Sequence, residues 1–149
     1  MKTVRDLIKD NDKDLTVVSK NTTVLEAAQK MTQRRIGAVP VIDGDLIIGI
    51  FSERDVMNRV VAKNLNPAST TVEQVMTRDL VVGAPEESVE QVEQKMKQYN
   101  IRHLPIVSGN KLVGIISLRD LLDAELNEKT EEIRMMTAYI HYIPPNFEP

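Results

Sequence analysis

The chain has 149 residues, 42% hydrophobic and 28% charged, with 19 basic against 22 acidic side chains, a formal net charge of −3, two histidines and no cysteine. That length suits one soluble globular unit or two very small ones, and it is enough to bury a core. Thiolate metal sites, iron–sulfur ligation and cysteine nucleophiles are excluded, a histidine-rich metal site has only His103 and His141 to draw on, and the acidic balance argues against non-specific nucleic-acid binding.

Phe51, Tyr99, Tyr139, Tyr142 and Phe147 are too few and too scattered for a base-stacking platform. The N-terminus MKTVRDLIKDND has no apolar leader core, and runs such as Leu46-Ile47-Ile48 fall far below the ~20 residues a membrane span needs. A cytoplasmic location without membrane contact is expected.

In chain order, Thr3 to Ile8 forms a lead-in, and Asp10-Asn11-Asp12-Lys13-Asp14 mimics the start of a calcium loop. Leu15 stands where that loop needs glycine and Asn21 where it needs glutamate, so the stretch reads as a solvated turn and no metal site is expected. Leu15-Thr16-Val17-Val18 reads as a short strand. A capping box, Thr23-Val24-Leu25-Glu26, then opens a helix with Val24, Ala27, Ala28 and Met31 on one face. Ala38 to Ile42 and Leu46 to Phe51 are β-rich runs about Asp43-Gly44, a hairpin signal, with Pro40 expected at a strand start or edge. Ser52-Glu53-Arg54-Asp55 opens a second helix, and Lys63 to Thr70 reads as a loop.

The pattern then repeats. Leu15 to Asp55 superposes on Leu80 to Asp120 without a gap, at an offset of 65, with identities that include Lys30/Lys95, Met31/Met96, Pro40/Pro105, Gly49/Gly114, Ser52/Ser117 and Asp55/Asp120. Chance would give roughly two or three identities over this length. The second copy has its own strand (Leu80-Val81-Val82), capping box (Ser88-Val89-Glu90-Gln91) and Pro105. The lead-ins match as well, Thr3 to Ile8 resembling Thr71 to Met76, but at an offset of 68. The chain is thus an α/β (α+β) tandem duplication of a β-α-β-β-α unit.

After Asp120 the pattern stays helical, with Leu121, Leu122, Leu126, Ile133, Met136 and Ile140 in a stripe interrupted by Asn127-Glu128-Lys129. Pro144-Pro145 ends any helix and Asn146 to Pro149 reads as a tail. Met135-Met136 with Tyr139, Tyr142 and Phe147 either marks an interface with a second subunit or packs onto the chain's own core. The organisation expected is 1–66 for the first motif with its lead-in, 67–126 for the second, and 127–149 for the C-terminal helix and tail.

Over residues 1 to 122 the chain resembles a tandem cystathionine β-synthase (CBS) domain pair. The resemblance rests on Ile36-Gly37-Ala38-Val39-Pro40-Val41-Ile42 with Ile101-Arg102-His103-Leu104-Pro105-Ile106-Val107, and on Gly-apolar-apolar-Ser-x-Arg-Asp closing both copies. It implies two pseudo-symmetric repeats packed sheet to sheet, two clefts between them that bind adenosine compounds, and association into a homodimer. It also implies a threonine or serine in the first strand, where Val17 and Val82 stand, and a proline soon after it, which Pro85 matches and Lys20 does not.

The residues themselves give the clefts a chemistry. Serine at a helix N-cap with aspartate at N3 sets a hydroxyl and a carboxylate beside free backbone N–H groups at the positive end of a helix. Phosphate suits the N–H groups, and an acceptor-only carboxylate suits a ribose diol. The same Ser-x-x-Asp pattern is also a complete helix cap that needs no ligand. On the ligand reading Ser52, Arg54 and Asp55 serve one cleft and Ser117, Arg119 and Asp120 the other. Gly37-Ala38 in one copy stand where Arg102-His103 stand in the other, so one cleft is small and apolar and the other basic, and the resemblance places these residues on the cleft walls. There Gly37 and Ala38 would admit a flat base and Arg102 and His103 would meet phosphate, with a pH dependence carried by His103.

Gly-rich phosphate loops, Gly-x-Ser-x-Gly elbows and His-Glu-x-x-His helices are lacking, so no enzyme is expected and no catalytic cofactor. The function expected is a stand-alone regulatory, energy-sensing module whose ligand is AMP, ADP, ATP or NAD(H), acting as a homodimer on a partner enzyme the sequence does not name. The alternative is a ligand-free interaction module that binds a partner through its sheets or C-terminal helix.

Overall fold

The structure, a computed structural model, describes residues 2–11 and 15–140. The lead-in forms α1 (Val4–Asn11), and the first repeat continues through β1 (Val18–Ser19), α2 (Val24–Arg34), β2 (Ala38–Asp43) and β3 (Leu46–Ser52). One turn of helix, α3 (Glu53–Asp55), then runs into a π-helical stretch, Val56–Val61. The second repeat follows as α4 (Val72–Val75), α5 (Val89–Tyr99), β4 (His103–Ser108), β5 (Lys111–Ser117) and α6 (Leu118–Ile140). Asp10 and Asn11 close α1, and residues 12–14 of the acidic stretch lie outside the described residues, as do 141–149 with His141, Tyr142, Pro144, Pro145 and Phe147.

Local chemistry explains the helix ends. Glu26 N–H donates to Thr23 Oγ1 at 3.1 Å, and at Ser88 both halves of the capping box close. At the other end, Arg35 and its counterpart Asn100 cap α2 and α5 in the left-handed region, with φ of 55° and 52°. Each hairpin turns on two residues. In the second, Gly109 and Asn110 both take positive φ, the backbone that matches the twist of the flanking strands.

Two sequence expectations change. The first strand shrinks to Val18–Ser19, which runs parallel to β2, and its counterpart at Leu80-Val81-Val82 does not form; only Gly83 bridges Ile106. The chain there turns toward the other repeat, because the Pro85 and Glu87 carbonyls accept from Arg5 and Val4 N–H at 3.0 and 2.9 Å. Pro40 lies inside β2, the central strand of its sheet, and not at a start or edge, whereas Pro105 lies on β4, an edge strand of a two-stranded sheet, as expected. Pro40 is tolerated because β1 pairs only with Val41 and Ile42, so no donor is needed at residue 40 on that side.

Each lead-in packs on the opposite repeat. One apolar core gathers Val18, Val24, Met31, Val39, Val41 and Phe51 with Val72, Val75 and Met76 of the second lead-in; the other gathers Val89, Val92, Met96, Leu104, Ile106 and Ile116 with Val4 and Leu7 of the first. Small residues permit the exchange. A Cβ on Gly49 would stand 3.0 Å from the Thr77 carbonyl oxygen, and one on Gly114 would stand 3.1 Å from the Ile8 side chain. The exchange ties the repeats into one body, with contact between β3 and β5 at its centre.

Helix α6 is continuous from Leu118, so the boundary expected at residue 127 falls inside a helix. Its first turns pack through Leu121, but Leu126, Ile133, Met135, Met136, Tyr139 and Ile140 are exposed. The described part of the methionine and aromatic group therefore does not pack onto the chain's own core.

Candidate functional site

The two Ser-x-Arg-Asp motifs, alike in sequence, meet different fates. Asp55 is only 4% exposed and both of its oxygens are engaged. Its Oδ2 accepts from Ser52 N–H at 2.9 Å and from the Ser52 hydroxyl at 3.2 Å, and its Oδ1 accepts from the Thr77 hydroxyl at 3.0 Å with Arg59 Nε at 3.6 Å. Arg59 also donates to the Met76 carbonyl at 2.8 Å, and Thr77 exchanges two backbone hydrogen bonds with Ile50. Arg54 points to the Asn100 carbonyl, 3.3 Å away. Of the residues expected to serve a ligand here, Asp55 fastens Thr77 of the second lead-in to the first repeat, Ser52 bonds Asp55, and Arg54 reaches the end of α5.

Asp120 is half-buried and engaged on one oxygen. Oδ2 accepts from Ser117 N–H at 2.9 Å, while Ser117 Oγ accepts from Asp120 N–H at 3.1 Å. Oδ1 has no partner among the described residues. Thr77 and Arg59, which occupy Asp55, correspond to Lys9 and Ala124 in the other copy, so neither a hydroxyl nor a guanidinium stands at the matching position.

Asp120 and Ser117 line a cleft of about 1160 Å³. Gly37, Ala38, Arg102, His103 and Arg119 line it too, so the expected division into one apolar and one basic cleft is replaced by a single cleft with both walls. The walls meet because β2 and β4 begin beside each other. A Cβ on Gly37 would stand 3.3 Å from both Glu53 Cδ and His103 Cε1, so any larger residue would press on both side chains and narrow the slot. Ser52, Arg54 and Asp55 are not among the lining residues.

Burial pushes the His103 imidazole below its ordinary pKa, and Arg102 adds to this, while Glu53 and Asp120 oppose it. His103 is thus poised neutral near pH 7, and a nearby anion would restore its affinity for a proton.

Thr16, Arg35 and Glu53 also line the cleft, and the sequence reading missed all three. Thr16 lies one residue before Val17, where a first-strand hydroxyl was sought. In the other copy its counterpart is Val81, and Glu53 corresponds to Leu118. Comparing the copies for polar residues present in only one would have flagged both.

Two repeats, exchanged lead-ins and a cleft where β2 and β4 begin define a tandem pair of small α/β modules. The chain belongs to the CBS domain family, whose model matches residues 4–62 and 72–127. It is 40% identical over 113 residues to the CBS domain-containing protein YhcV of Bacillus subtilis (strain 168), covering 76% of this chain and 80% of that one. To YlbB of the same organism it is 34% identical over 134 residues, covering 89% and 86%. Among solved structures, a protein with CBS domains from Burkholderia ambifaria MC40-6 superposes with a TM-score of 0.80 at 35% identity, covering 85% of this chain and 95% of that one. The CBS domain pair of protein MJ0100, in complex with 5′-methylthioadenosine and S-adenosyl-L-methionine, does so with a TM-score of 0.74 at 25% identity, covering 86% and 98%. These matches indicate no catalytic family. Among the described residues no helix is long and apolar enough to cross a membrane.

Proposed function

We propose that the chain is a regulatory module that binds an adenosine nucleotide (AMP, ADP, ATP or NAD(H)) in the Asp120 cleft and changes the shape of a homodimer on binding. The observation that carries this reading is the contrast between the aspartates: Asp55 is saturated by its own chain, while Asp120 keeps an unpartnered oxygen in a large cleft. That oxygen suits a ribose diol, the α6 N-terminus with the Ser117 hydroxyl suits phosphate, and Gly37 and Ala38 leave room for a base. The adenosine ligands of MJ0100 give the reading further support.

The homodimer is supported by two pseudo-equivalent pairs of exposed apolar residues, Met57 with Val61 and Leu122 with Leu126, which the repeat offset relates to each other. A ligand shifts such a dimer only by its differential affinity for the two shapes. The second reading, a ligand-free interaction module, is favoured by the exposed face of α6 from Ile133 to Ile140.

Thermal unfolding with AMP, ADP, ATP, NAD, NADH and S-adenosylmethionine separates the two. A ligand at 100 times its Kd stabilises by ~2.7 kcal/mol, which raises Tm by roughly 5–10 °C in a chain of this size. A rise with an adenosine compound and none with a guanosine control supports the nucleotide module. No rise at millimolar concentrations transfers the assignment to the interaction module.

A further inference from the structure

The cleft is a local reversal of charge. In a chain of net charge −3, three arginines line one cavity: Arg35, Arg102 and Arg119. None of their guanidinium groups has a hydrogen-bond or ion-pair partner among the described residues. Outside the cleft five of the six other guanidinium groups are engaged, Arg5 with Glu86, Arg54 with the Asn100 carbonyl, Arg59 with Asp55, Arg78 with the Glu73 carbonyl and Arg134 with Glu131, while Arg34 is exposed. The acidic groups lining the cleft are Asp120, half engaged in its cap, and Glu53.

The three come from unrelated elements. Arg119 is in the first turn of α6, Arg102 immediately precedes β4, and Arg35 is the αL cap of α2. Asparagine, which tolerates the left-handed region well, stands at the matching Asn100; arginine at residue 35 is the departure, and it delivers a cation to the cleft.

Resting on the adenosine reading of this same cleft, we infer that its ligand is a nucleoside di- or triphosphate, with Arg35, Arg102 and Arg119 as the set that reads the phosphate chain. Three guanidiniums match several phosphate oxygens, because each offers a planar fork of donors. A neutral nucleoside leaves all three unused, and a sulfonium nucleoside would bring a positive charge among them. Arg35 is the residue that sets this preference apart from the Asp120 carboxylate, which serves any nucleoside.

Isothermal titration of the full chain with ATP, AMP, adenosine, S-adenosylmethionine and inorganic tripolyphosphate, each at low and high salt, tests the inference. ATP is expected to bind at least about a hundredfold tighter than adenosine, since a charge-assisted hydrogen bond contributes about tenfold each. That advantage should shrink with salt. Arg35→Asn, which installs the residue the other copy uses, should cut ATP affinity about tenfold and leave adenosine affinity unchanged. Arg102→Gln should do the same.

Equal affinity for ATP, adenosine and S-adenosylmethionine, or no differential loss in Arg35→Asn, overturns the inference and leaves the adenosine reading standing. Tripolyphosphate binding as tightly as ATP, with adenosine not binding, supports the anion set and overturns the nucleoside reading. Binding by none of the five overturns both.

Discussion

Removing the two aspartates should separate stability from ligand binding. Asp55→Ala deletes the acceptor for Ser52 N–H, the Ser52 hydroxyl and the Thr77 hydroxyl in a place only 4% exposed. A buried donor left without a partner costs about 1–3 kcal/mol, and the Arg59 pair adds little because that side chain is 49% exposed. The Ser52 hydroxyl can turn to another acceptor, so the expected loss is about 2–4 kcal/mol. At roughly 2–4 °C per kcal/mol for a chain this long, Tm should fall by about 5–15 °C. Asp120→Ala loses one hydrogen bond from Ser117 N–H at a half-buried cap, worth about 0.5–2 kcal/mol. Differential scanning fluorimetry with and without nucleotide reads both quantities at once. Asp55→Ala should unfold early yet keep its ligand-induced rise; Asp120→Ala should unfold near the parent and lose the rise. Equal destabilisation by the two variants would refute the argument that Thr77 and the second lead-in make the copies unequal. Loss of the ligand response in Asp55→Ala alone would move the site to the other copy.

Thr77→Val keeps the volume but withdraws the donor to Asp55 Oδ1, so chemical denaturation should show a loss of about 1–2 kcal/mol with an unchanged m-value. Gly49→Ala should cost more than Gly114→Ala, because the new methyl runs into the buried Met76 side chain and the Thr77 carbonyl oxygen in the first case and only the adaptable Ile8 side chain in the second; urea midpoints in the reverse order would contradict the packing described. For His103, the folded pKa lies below the unfolded value of about 6.5, so the unfolded chain binds more protons. Its contribution to stability is complete above that pH and is lost as pH falls toward the folded pKa. His103→Gln should therefore flatten the fall in Tm as pH drops below about 6.5, relative to the parent. A phosphate ligand raises the His103 pKa, so its binding should take up protons and tighten as pH falls through this window, measurable by calorimetry in buffers of different ionisation enthalpy.

Local patterns in the sequence predict the elements that depend on local chemistry. Thr23 and Ser88 cap α2 and α5, Val24, Ala27 and Met31 are buried on one face, and the hairpins turn at Gly44 and Gly109. The duplication is equally plain, since identities at a fixed offset survive any detail of packing. What could not be read was which repeat each lead-in touches. Thr3 to Ile8 and Thr71 to Met76 look alike on paper, and only the fold shows each against the opposite sheet. The cleft suffers from the same blindness. Aligned positions assign Gly37 and His103 to different clefts, whereas packing brings them beside each other in one.

The asymmetry between the copies, however, was present in the residues. A duplicated motif keeps its sequence longer than it keeps its surroundings, so the informative comparison is between the partners of Ser-x-Arg-Asp and not within the motif. Arg59 against Ala124, Thr77 against Lys9 and Thr16 against Val81 are three substitutions of polar capacity. The first two saturate Asp55, and the third adds a hydroxyl to the Asp120 cleft. All three push the same way: one carboxylate becomes part of the internal frame and the other is left for a ligand. A reciprocal transplant therefore follows. Ala124→Arg should bring a guanidinium four residues along α6 from Asp120, as Arg59 stands to Asp55, and so compete with the ligand for Oδ1. Nucleotide affinity should drop several-fold, while Tm without ligand stays near the parent's or falls slightly, because Ala124 packs partly buried against the second core. If affinity is unchanged although the variant folds with parental stability, the free oxygen of Asp120 is not the group that holds the ligand.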